Sequence, residues 1–253
     1  MARLITSSKL LRSLDPEDLA CFEPHLARKH LVLGQVLCEP GEEIREIVFP
    51  EGRIGSITAV SGSLQMEVAQ CGAESMTGGE VLNGVFQASH RVLVQQNAEA
   101  LCIDRETFLD LVHGSSPVQK LFAAYQEAFI IEVTHAALVA GRYPIEQRLA
   151  RWILMAHDRV EGDEVDITHE TLSQMIGVRR AGITTALHIL EGKQMIRSSR
   201  GKITMRDRAM LEKVAGESYG LPEEAYRRLV VRPFQRSTHS GLHRTVQHHA
   251  ALT

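Results

Sequence analysis

Residues 167–205, ITHETLSQMIGVRRAGITTALHILEGKQMIRSSRGKITM, decide the fold. The stretch fits two short helices crossing near a right angle through a tight turn. Such a crossing needs a small residue midway along the first helix and a residue tolerant of positive φ in the turn; Ser173 and Gly177 stand at those places. Leu172, Ile176, Val178, Ile183 and Ala186 fall at the offsets that pin both helices to a domain, and Leu187 and Leu190 extend the apolar face of the second. Thr168 is placed to cap the first helix, and MIRSSRGKITM reads as two strands around SRGK, a β-wing.

Turning the apolar face inward leaves Arg179, Arg180, Thr184, Thr185 and His188 on the other side of a helix near 179–191, all able to donate hydrogen bonds. An arginine fork fits guanine O6 and N7 or a phosphate, and the first turn of a helix laid in the major groove reaches base edges. Arg180 is thus the leading base contact and Arg179 a phosphate clamp, with Thr168, Arg200 and Lys202 holding phosphates to set register. The charge pattern points the same way. The chain's net charge is −3, yet residues 1–116 hold sixteen acidic against nine basic residues (−7), and residues 165–210 hold eight basic against four acidic (+4). Double-stranded DNA is the expected partner. The alternative is a winged helix used as a protein-binding surface.

Working upstream, PIEQRLARWILMAHDRV begins a helix with Pro144 at its first turn, after a break at GRYP, 141–144, that suggests a hinge near Gly141. From Pro117 to Ala140 the chain has no internal Gly or Pro, and Val118, Leu121, Phe122, Tyr125, Phe129, Val133 and Ala136 recur at helical spacing. A second apolar side passes through Ala124, Ala128 and Ile131, more than a helix needs to cover one sheet. The helix either packs on the upstream domain alone or also on its own copy in a homodimer through those recurring residues.

From His30 to Phe108, short apolar runs such as REIVF, GSITAV and RVLVQQ alternate with Gly34, EPGE, PEGR, SGS, CGAES and TGGE. Punctuation this dense marks an all-β roll. The chain therefore reads as α+β: an N-terminal β-roll of double-stranded jelly-roll type (1–116), a long dimerisation helix and hinge (117–142), a winged helix-turn-helix domain (143–230) and a His-containing tail (231–253). The tail, poor in large apolar residues, is expected to be flexible, and His239, His243, His248 and His249 in it are read as solvated, not metal-binding. No GxSxG, HExxH or phosphate-cradling glycine loop appears, so no enzyme is expected. Cys21, Cys38, Cys71 and Cys102 lack metal or disulfide spacing, no window approaches a membrane span, and a cytoplasmic setting fits.

The 167–205 stretch preceded by IEQRLARWILM, together with EPGE, GGEV and the order of parts, resembles the Crp/Fnr family of bacterial transcription regulators. The resemblance covers roughly residues 10–215. It implies an effector-sensing roll, a dimer helix, and a two-fold operator read to recruit or block RNA polymerase. Cyclic-AMP-binding members carry Gly-Glu followed by Arg-Ser. Gly79 and Glu80 match, but Ser89 and His90 stand where Arg-Ser would, with Arg91 one place late and so on the opposite face of a strand. Cyclic AMP is not the expected effector, and a constitutive regulator stays open. An N-terminal cysteine cluster is lacking, so no iron-sulfur cluster or other cofactor is expected. Tyr125 and Thr134 lie where family effectors are contacted, or serve packing; Glu80 either binds a ligand or ends a strand. Arg180 matches the family's arginine, but Ala181 and Thr185 replace the Glu and Arg that often accompany it, implying a different operator.

Overall fold

The computed structural model describes residues 5–231. After α1 (Pro16–Phe22), seven strands form the roll: β1 (Ala27–Leu31), β2 (Val36–Cys38), β3 (Glu46–Pro50), β4 (Gly55–Ser61), β5 (Leu64–Cys71), β6 (Arg91–Val94) and β7 (Ala98–Asp104). They make two antiparallel sheets, ordered β1-β7-β3 and β2-β6-β4-β5. Gly55 is required where β4 meets β6, because a Cβ there would lie 1.9 Å from the Leu93 carbonyl oxygen.

Helix α2 (Arg105–Gly114) follows, capped by Asp104, whose Oδ1 accepts from the Glu106 and Thr107 N–H groups. The long helix α3 (Ser116–Arg142) closes the roll. Phe22, Phe49, Phe108 and Phe122 pack together, with the Phe108 and Phe122 rings 5.1 Å apart in an edge-on contact. That cluster fixes the N-terminal half of α3. The helix runs through Gly141 to Arg142, and the chain turns only at Tyr143 and Pro144, both extended. The break is therefore two residues beyond the expected hinge, and Pro144 is the N-cap of α4 (Ile145–His157), not a first-turn residue.

A second core is built from Leu149, Ile153, Leu172, Ile183, Leu187, Leu190, Ile203 and Leu211. It unites α4, β8 (Glu164–Asp166), α5 (His169–Ile176), α6 (Arg180–Gly192), β9 (Ile196–Ser199), β10 (Lys202–Met205) and α7 (Arg208–Ala215). Strand β8 was not anticipated; it joins the wing in the order β8-β10-β9. The chain then returns to the first domain. Helix α8 (Leu221–Tyr226) and a terminal turn (Arg227–Val231) lie along α3, with Val230 buried in the roll-side core. His135 of α3 bonds the Ser218 carbonyl at 3.0 Å. The expected tail lies, from residue 232, outside the described residues.

Polar contacts join the two domains. Gln70 Nε2 donates to the Trp152 carbonyl at 3.3 Å, Arg159 pairs with Glu74 and Glu132, and the buried Arg53 guanidinium lies over the Trp152 ring. On β5, Glu67 faces Ser56, which donates to it, and Arg53. Burial pushes the Glu67 carboxyl up to about 7 despite those partners.

Candidate nucleic-acid interface

Helix α5 starts at a capped end, the Thr168 Oγ1 accepting from the Thr171 N–H at 3.1 Å. It stops at Gly177, whose φ of +69° lets the chain turn within two residues into α6. Ser173 is buried at the crossing, and the Val178 N–H donates to its carbonyl at 3.0 Å. Ile183, Ala186, Leu187 and Leu190 are all buried, which fixes the rotation of α6 about its axis. Arg179, Arg180, Ala181, Thr185 and His188 are left exposed on one side.

The start of α6 is unfavourable by itself. Arg179 is its N-cap and Arg180 its first residue; no side chain caps the free N–H groups, and the first turn holds no acidic residue. Two cations thus sit at the positive end of the helix dipole, an arrangement that an approaching anion would relieve. Among the described residues the carboxylate in contact with Arg180 is that of Glu170 on α5, with Oε2 4.0 Å from Arg180 Nε.

Not every expected contact is brought to this face. Thr184 is half-buried, its Oγ1 3.2 Å from His169 Nδ1, while His169 Nε2 lies 3.4 Å from Ser198 Oγ of β9. His169 therefore ties both helices to the wing. It was missed because a lone histidine at a helix start carries no pattern. The wing turn is Arg200–Gly201, with Gly201 at φ +75° and Ser199 paired to Lys202. Arg200 is exposed, but Lys202 Nζ donates to Glu164 Oε2 at 2.7 Å across β8. Arg208, counted in the local basic surplus, is engaged by Asp158, Glu212 and the Tyr219 hydroxyl.

In the roll, Gly79, Glu80, His90 and Tyr125 line one cavity of about 170 Å³. The Ser89 N–H donates to Glu80 Oε1 at 3.2 Å, and His90 Nδ1 lies 3.5 Å from the same oxygen. Burial pushes the Glu80 carboxyl up, but His90 and the backbone N–H groups of Glu80 and Ser89 outweigh it and hold it below the usual carboxylate range. Arg91 points away: its Nε reaches both Glu39 carboxylate oxygens at 2.8 and 2.9 Å, and its Nη1 the Gln65 Oε1 at 2.9 Å. The Tyr125 hydroxyl is occupied by the Met76 backbone, and Thr134 is exposed and does not line the cavity. Burial pushes the Cys38 and Cys102 thiols up to about 11 and that of Cys71 up to about 12.

Of the residues expected at a dimer seam, Val118, Phe122, Tyr125 and Ala136 are buried within their own chain, and Leu121, Phe129 and Val133 are half-buried. Val118, Leu121, Phe122, Tyr125 and Phe129 pack against the roll-side cores. The outward stripe of α3 is instead Ala123, Glu127, Ile130, Thr134, Ala137 and Gly141, alternating steps of four and three residues, with Leu138 beside it. That is the spacing of a coiled-coil seam.

A β-roll joined by a long helix to a winged helix-turn-helix is the build of a transcription regulator. Residues 147–214 match the Crp-like helix-turn-helix domain. The cyclic AMP receptor protein of Thermus thermophilus is 21% identical over 209 residues, covering 82% of this chain and 97% of that one. Among solved structures, a Crp/Fnr-family regulator of Eubacterium rectale aligns with a TM-score of 0.66 at 17% identity, over 83% of this chain and 98% of its own. FixK2 of Bradyrhizobium japonicum gives a TM-score of 0.66 at 13% identity, over 76% and 98%. Residues 147–214 are thus a Crp-like helix-turn-helix DNA-binding domain, and along its length the chain is similar in fold to Crp/Fnr-family transcription regulators.

Proposed function

We propose that the protein is a homodimer that binds a two-fold DNA operator, with one α6 from each protomer in successive major grooves about 34 Å apart. The observation that carries this is the uncapped start of α6, where Arg179 and Arg180 stand exposed on a helix whose opposite face is locked in the core. Arg180 is the base-reading fork. Arg179, Thr168, Arg200 and the wing's Lys202, once exchanged from Glu164, hold phosphates. Thr185 and His188 extend the readable face, and Thr184 contributes through His169. The α3 stripe from Ala123 to Gly141 forms the seam between protomers and sets the separation of the two α6 helices.

The Glu80–His90 cavity is the effector pocket in this reading. With a histidine–carboxylate pair where cyclic-nucleotide binders present an arginine, and with Arg91 engaged by Glu39, its effector is not cyclic AMP. An effector acts only by binding the DNA-competent and incompetent dimers with different affinity. RNA polymerase is the partner through which operator binding changes transcription. The test is a palindromic-site selection followed by binding titrations. Arg180→Ala should cost about 1–3 kcal/mol and relax preference at one base pair per half-site. Arg200→Ala should weaken all sequences alike and flatten the salt dependence. Specific binding unchanged in Arg180→Ala would overturn the assignment.

A further inference from the structure

Three buried polar atoms without hydrogen-bond partners converge on one place. Gln70 Oε1, Glu132 Oε1 and the Tyr226 hydroxyl are all unbonded, and the three residues line a single cavity of about 230 Å³. They come from β5, α3 and α8; β5 and α3 pack directly, and α8 completes the site by lying back along α3. Gln70 is 1% exposed, and because its Nε2 is spent on the Trp152 carbonyl, its free end is an acceptor. Glu132 Oε1 has Arg159 Nη2 at 3.8 Å, an ion pair beyond hydrogen-bonding distance. Much of the remaining wall is apolar, with Ile57, Ala128 and Phe129. Buried polar groups are ordinarily satisfied, so three residues with orphaned atoms around one space point to a missing partner.

We propose that this cavity binds a small amine, with a ring-sized apolar body against Ile57, Ala128 and Phe129 and an amino group donating to Gln70 Oε1 and Glu132 Oε1, the Tyr226 hydroxyl completing its contacts. The size fits: an apolar cavity of roughly 150 Å³ holds benzene, so this one holds a ring and a short arm. Of the acidic lining residues Glu74, Glu132, Asp158 and Glu223, Glu74 is paired with Arg159 and Asp158 with Arg208, which leaves Glu132 and Glu223 as the carboxylates with no cation within hydrogen-bonding distance among the described residues. The site shares Ile57, Tyr125 and Phe129 with the Glu80–His90 cavity but none of its charged groups, so it does not depend on the effector reading. Burial pushes the Glu132 carboxyl up to about 7, with Arg159 and Arg151 opposing and Glu74 and Glu223 reinforcing. A bound ammonium favours the ionised form, so binding releases a proton and tightens as pH rises from about 6 to 8.

The experiment is calorimetric titration of the full-length protein with benzylamine, benzyl alcohol and toluene. Saturable benzylamine binding, about tenfold tighter than toluene and accompanied by proton release, is expected. Ala128→Leu, which fills the cavity, should abolish it. Tyr226→Phe should weaken it several-fold, Glu132→Gln should remove the proton release, and Glu80→Gln in the other cavity should leave it unchanged. Should Ala128→Leu not fold, the Tyr226 and Glu132 variants decide. Absence of benzylamine binding, affinity no better than toluene, equal loss in Glu80→Gln, or a crystal structure showing ordered water alone in the cavity after soaking would each overturn the proposal.

Discussion

Replacing Glu67 by glutamine should change how stability depends on pH, and the size of the change follows from its place on β5. The carboxyl is enclosed between Ser56 and Arg53, and burial pushes it from 4.5 up to about 7. A carboxyl raised in the folded state binds more protons there than in the unfolded chain. Its favourable contribution is complete below about 4.5 and is lost as pH rises through about 7. Between pH 5 and pH 8 this one group accounts for roughly 2–3 kcal/mol, which in a chain of this size corresponds to roughly 5–10 °C in Tm. Glutamine still accepts from the Ser56 hydroxyl but does not titrate. Wild type and Glu67→Gln should therefore melt together near pH 5, and the variant should be the more stable by roughly 2–3 kcal/mol at pH 8. Thermal unfolding followed by circular dichroism from pH 5 to 8 measures this. A difference between the two proteins that stays constant across that range would refute the reasoning.

Three further outcomes are expected. Gly55→Ala should destabilise the roll by more than about 4 kcal/mol, read by chemical denaturation, because its Cβ would meet the Leu93 carbonyl at 1.9 Å and neither backbone can yield. Thr168→Ala should cost about 1 kcal/mol of stability through loss of the α5 cap while leaving the roll's fold intact. Ile130→Glu places a charge in the outward stripe of α3, and sedimentation should show a shift to monomer with operator affinity falling in parallel; a dimer of unchanged strength would place the seam elsewhere.

Much of the architecture was legible because its signals are local. Ser173, Gly177 and the apolar offsets around them specify a helix-turn-helix by their spacing alone, and the dense glycine and proline punctuation before residue 116 specifies a roll. The faces of α3 were not legible. Periodicity marks which residues are apolar but not which neighbour takes each face; the aromatics went to the roll, leaving an outward stripe that mixes Ala123, Ile130 and Ala137 with Glu127 and Thr134, a pattern weak against the stronger one beside it. Among site residues, those placed by helix geometry, Arg179, Arg180, Thr185 and His188, emerged on one face. Lys202 and Thr184 did not stay free, because their partners Glu164 and His169 come from segments that meet them only in the folded sheet and bundle. The same limit hid the cavity under α8. Gln70, Glu132 and Tyr226 are far apart in the chain, and nothing in PEEAYRRLVV announces that Val230 is buried in the roll-side core.

That return of the chain constrains how the DNA-binding domain can travel. It is attached through Tyr143 and Pro144 on one side and, on the other, through Ser218 and the turn into α8, which is seated along α3. A body fixed at two points cannot drift on a tether. Any swing must turn about the line joining them, like a door on two pins, and must first break the contacts that Gln70, Glu74 and Arg53 make with Trp152 and Arg159. Each position of the swing then presents α6 at one fixed tilt, so whatever loosens the second pin would alter the geometry of reading without touching either the arginines or the roll.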